Sequence, residues 1–132
     1  MGYEAAAQLK GLGIGVSTSV GIGGDPINCS SFKTILKHFE VNDETQAIVV
    51  IGEIGGPREA EATSYISANI DKPVVAYVAG LTAPKGRTVG HASTINSAFG
   101  ESAPEKIEIF TAAGVKVGKN LTVMGEAVAK FM

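Results

Sequence analysis

Two aliphatic runs, AIVVI at 47–51 and VVAYVA at 74–79, constrain this chain more than any other feature. Neither alternates with polar residues, so each reads as a strand covered on both faces, the usual state of a strand in a parallel sheet. Each ends at a glycine, Gly52 and Gly80, and helical periods lie between and around them. Phe32, Ile35, Leu36 and Phe39 fall at i, i+3, i+4 and i+7 of an amphipathic helix. Behind Pro57, well placed at a first helical position, Ala62, Tyr65, Ile66 and Ile70 form a second helical face. Ser102 and Glu105 make a capping-box pattern ahead of Ile107, Phe110 and Ala113, and Gly114 stops that helix.

The flanks complete the pattern. Residues 3–10 are alanine-rich and predict a short helix, stopped by Gly11 and Gly13. Residues 14–22, with Val16, Val20 and Ile22 among small residues, predict a strand that ends in the GGDP turn at 23–26. Val115 and Val117 predict a short strand, and Met124, Ala127, Val128 and Phe131 a last helical stripe. The order α-β-α-β-α-β-loop-α-β-α implies an α/β fold, a parallel sheet with helices on both faces. The 132 residues suit one domain, with no repeat or internal boundary.

Composition narrows the function classes. Eleven basic against thirteen acidic residues give a net charge of −2, which offers no electrostatic case for nucleic acid or an anionic membrane surface. The apolar runs are too short to span a bilayer. MGYEAAAQLK lacks the apolar core of a signal peptide. A single cysteine, Cys29, cannot close an internal disulfide and fits a reducing compartment. The two histidines and that cysteine are scattered, so no metal site is expected.

Ligands of parallel sheets bind at the carboxyl ends of strands, where Glu53 and the irregular, Gly/Ser/Thr/Pro-rich stretch 81–100 both fall. Within that stretch His91 sits among small residues, and its imidazole can act as nucleophile or base near neutral pH. Residue types alone leave a plain surface histidine as the commoner alternative. Glu53 either orients an imidazole or complements the dipole of the helix that follows. Gly55 and Gly56, just ahead of that helix, are candidates for binding phosphate. His38 lies on a helix flank and reads as solvated, and Cys29 as a bystander thiol. Neither a complete dinucleotide fingerprint nor a P-loop is present.

Four motifs then carry a resemblance. GIGGDP at 21–26, IGEIGG at 51–56, AGLTAPKGR at 79–87 and GHA at 90–92 resemble, in order, the alpha subunit of succinyl-CoA synthetase. GYEAAAQLKGLG at 2–13 is similar to the malate–CoA ligase branch of that family. The resemblance implies a flavodoxin-like three-layer fold and a phosphoryl-carrying histidine at His91, partnered by Glu53. It implies a substrate site to which Tyr3 contributes, shared with a beta subunit. That partner would bring an ATP-grasp domain, and the full complex would use CoA, a dicarboxylate and ATP or GTP with Mg, none bound by this domain alone. The family's N-terminal CoA-binding domain is expected to be absent from these residues, so the piece alone is expected to be inactive. The setting implied is cytoplasmic, or the mitochondrial matrix in a eukaryote. Ser93 and Thr94 stand where the family has Gly-Ala, and Ala98 and Phe99 where it has a glycine pair. Related readings are an ATP-citrate lyase-type module, a non-catalytic homologue that binds a partner subunit, and a generic nucleotide-binding α/β domain.

Overall fold

In a computed structural model, which describes residues 1–25, 27–84 and 101–132, the sheet is built from the two aliphatic runs and one short strand. β1 (Ile48–Gly52), β2 (Val74–Val78) and β3 (Lys116–Val117) are parallel, with β2 in the centre. Ile48 stands opposite Val74 and Gly52 opposite Val78, while Val75 pairs with Lys116. Five α-helices among the described residues flank them: α1 (Gly2–Gly11), α2 (Phe32–Glu40), α3 (Arg58–Asn69), α4 (Ala103–Ala112) and α5 (Met124–Ala129).

Strand alternation explains why neither run alternates in polarity. Ile48 and Val50 of β1, with Val74, Ala76 and Val78 of β2, point to one face. There they meet Leu36 of α2, Ala62 and Ile66 of α3, and Ala103 and Phe110 of α4. Val75, with Val49 and Tyr77 beside it, points to the other face and meets Leu9 of α1 and Met124, Ala127 and Val128 of α5. Both faces are therefore apolar, and the expected three-layer α/β arrangement is what forms.

Local chemistry sets the helix ends. The Ser31 side chain accepts from the Thr34 N–H at the start of α2. At α4 the Ser102–Glu105 capping box is complete. Pro57 stands one residue earlier than expected, at the N-cap of α3.

One element differs. Residues 14–22 form no strand; they run irregularly, with Val16 and Val20 about half exposed (46% and 44%). A strand exists only by pairing, and among the described residues β1 pairs with β2 alone. A cleft of about 1580 Å³ is lined by both the 14–24 segment and β1. No helix among the described residues is long and apolar enough to cross a membrane.

Candidate functional site

Because the strands are parallel, their carboxyl ends share one edge. Gly52 closes β1 and Ala79 follows β2, and the Ala79 N–H donates to the Gly52 carbonyl (2.9 Å). The chain beyond β1 then turns through Glu53, Ile54, Gly55 and Gly56 into α3. Gly55 and Gly56 take positive φ (89° and 69°), which makes the turn tight.

A buried ion pair holds this turn from beneath. Lys106 of α4 is 1% exposed and Glu59 of α3 is 5% exposed. The Lys106 ammonium donates to the Glu59 carboxylate (2.5 Å), the Glu53 carbonyl (2.8 Å) and the Gly55 carbonyl (2.7 Å). Its three N–H donors thus meet three acceptors. The second Glu59 oxygen accepts the Glu53 N–H (3.2 Å). Glu53 is therefore fixed by both its N–H and its carbonyl. Gly52 must be glycine, because a Cβ there would lie 2.8 Å from Glu59 Cγ and Oε1.

Sequence reasoning did not single out Glu59 and Lys106, since charged residues on helices usually face water. A signal was present. Lys106 lies between the buried Ala103 and Phe110 at i+3 and i+7 from Ala103. Glu59 begins the buried set completed by Ala62, Thr63 and Ile66. Charges at core positions of a helix are rarely there unless paired.

The same turn meets the residues on either side of the 81–100 stretch, Gly80 and Glu101. At its start, Gly80 (φ 101°) packs so closely that a Cβ would lie 2.6 Å from Ile54 Cγ2. At its finish, the Glu101 carbonyl accepts the Gly55 N–H (2.9 Å). Gly80 and Glu101, on either side of that stretch, thus both lie against Ile54 and Gly55. His91, with Ser93, Thr94, Ala98 and Phe99, lies outside the described residues.

Of the other expected site residues, Glu53 is half-buried and borders the cleft with Gly55 and Gly56. The Gly55 N–H is engaged by Glu101, so of the two glycines Gly56 is the more open to an anion. Tyr3, on α1, is 95% exposed and borders the same cleft. His38 and Cys29 are both exposed. Arg58 donates to the carbonyls of Gly23 (3.0 Å) and Asp25, tying the GGDP segment to the start of α3.

Comparison with known proteins adds a second line. Residues 1–116 match the family described as CoA-ligase. The chain is 60% identical over 132 residues to the malate–CoA ligase subunit alpha of Methylorubrum extorquens, covering all of this chain and 45% of that protein. It is 47% identical over 130 residues to the ADP-forming succinate–CoA ligase subunit alpha of Aquifex aeolicus, covering 98% and 43%. It therefore spans less than half the length of these relatives. Among solved structures, an ATP citrate lyase from Methanosaeta concilii in complex with (3S)-citryl-CoA superposes with a TM-score of 0.79. The identity there is 31%, over 89% of this chain and 20% of that one.

Proposed function

The chain belongs to the CoA-ligase family, and from that premise we propose that it is the phosphohistidine-carrying domain, residues 1–132, of an acid–CoA ligase alpha subunit. One observation carries the reading: Gly80 and Glu101, which flank the stretch that contains His91, both meet the turn that carries Glu53. The proximity supports the role of Glu53 as partner of the His91 imidazole.

In this proposal the γ-phosphoryl of ATP or GTP passes to an imidazole nitrogen of His91, and the nucleoside diphosphate leaves. Glu53 accepts the other ring N–H, so the attacking nitrogen keeps its lone pair. The same carboxylate favours the positive charge that develops on the ring. A carboxylate oxygen of malate or succinate then takes the phosphoryl, giving an acyl phosphate and restoring the imidazole. The CoA thiolate attacks the acyl carbon; the thioester forms as the bond to phosphate breaks. Gly56 faces the cleft through which phosphate would pass, and Tyr3 contributes to the acid site. The beta subunit, with an ATP-grasp domain, supplies the nucleotide. Magnesium would enter with that nucleotide, bridging its phosphates.

The likeness to ATP citrate lyase fits a shared histidine module, but the identity of 31% is well below the 60% to the malate–CoA ligase subunit. Mass spectrometry of the nucleotide-treated αβ complex tests the proposal. An acid-labile phosphate on His91 that disappears in His91→Ala is expected. An acid-stable label, or one that persists in that variant, overturns it.

A further inference from the structure

We infer that Lys106 and Glu59 are positioning residues for Glu53, setting its backbone rather than touching a reacting group. The inference rests on the reading of Glu53 given above. A carboxylate that must meet a ring nitrogen needs its Cα fixed, because its own side chain is half-buried at a turn with two positive-φ glycines. The fixing is complete on the main-chain side: Glu59 takes the Glu53 N–H at 3.2 Å and Lys106 takes the Glu53 carbonyl at 2.8 Å. Lys106 also holds the Gly55 carbonyl at 2.7 Å, and the Gly55 N–H in turn holds Glu101, just past the 81–100 stretch. One buried ammonium therefore sets both the carboxylate's root and the turn that Glu101 meets. An ion pair whose only use was cohesion would not need its donors directed into a loop carbonyl on either side of Ile54. A buried pair is also an unreliable source of stability, since apolar replacements of both partners often serve as well.

That last point supplies the experiment. In the complete αβ complex, Lys106→Met together with Glu59→Gln removes both charges while keeping side-chain volume. The pair variant strands no charge, so its melting temperature is expected to fall less than that of Lys106→Met alone, the remaining loss coming from the Glu53 and Gly55 carbonyls that lose their donor. Hydrogen exchange in the peptide spanning 52–57 is expected to accelerate by about tenfold or more, and single-turnover phosphorylation by ATP to fall by roughly 10- to 100-fold with the nucleotide KM unchanged. In a Glu53→Gln background the pair variant should cost little more, because both changes act through one group. A pair variant that folds and phosphorylates within about twofold of the parent overturns the inference, as does full additivity with Glu53→Gln. Should the pair variant fail to fold, Glu59→Gln alone must still accelerate exchange at 52–57; unchanged exchange there overturns it. If Glu53→Gln is itself without effect, or the parent takes no phosphate, the role given to Glu53 or to the domain has failed. The exchange result still decides whether the pair sets the turn.

Discussion

The cleft beside β1 has two irregular banks. On one, residues 53–56 turn over a buried ammonium that accounts for two of their carbonyls, and a buried carboxylate takes one of their N–H groups. On the other, residues 14–25 are mostly exposed. That bank is held by a Ser17–Thr45 hydroxyl contact (3.2 Å) and by Arg58 at Gly23 and Asp25. The contrast is one of solvent. Buried backbone groups need buried partners, so the first bank is held at nearly every residue; exposed ones are satisfied by water, and the second bank is held at a few separated points.

The largest expected break in this contrast comes from Lys106→Met alone. It strands the Glu59 carboxylate in the core and removes a donor from two carbonyls, at a cost of about 3–5 kcal/mol. Chemical denaturation measures it; a loss below about 1 kcal/mol would place the first bank in the same class as the second. Gly80→Ala comes next. Its φ of 101° disfavours a side chain, and the new methyl would meet Ile54 at 2.6 Å. We expect a loss of about 1–3 kcal/mol, read from the same denaturation curves. A neutral result would show that the Ile54 contact yields freely.

These two residues illustrate what the sequence does and does not reveal. The helices and the two long strands are written in local periods, and the capping box in four adjacent residues, so each is legible from the chain alone. The 14–22 segment has the composition of a strand, but its state depends on a neighbour far away in sequence, which no local pattern reports. Glu53, Gly55 and Gly56 were legible as the end of a strand. The clamp beneath them was not, because Glu59 and Lys106 lie 47 positions apart and each alone resembles an ordinary helix-surface charge.

The smallest effect is expected on the far bank. Arg58→Ala removes partly exposed hydrogen bonds and should change global stability by less than about 1 kcal/mol. Cleavage by an added protease between residues 20 and 28 should nevertheless quicken, because the tether at Gly23 and Asp25 is lost. Unchanged cleavage would show that the Ser17–Thr45 contact suffices.

Lys106 has one more consequence, for reagents rather than for folding. It is the only buried lysine among the described residues; Lys10, Lys33, Lys37, Lys116, Lys119 and Lys130 are exposed. An amine-reactive label reaches the exposed set at once, whereas Lys106 reacts only when α4 parts from the turn after β1. Its labelling rate relative to theirs is a built-in clock for how often the edge of the sheet opens.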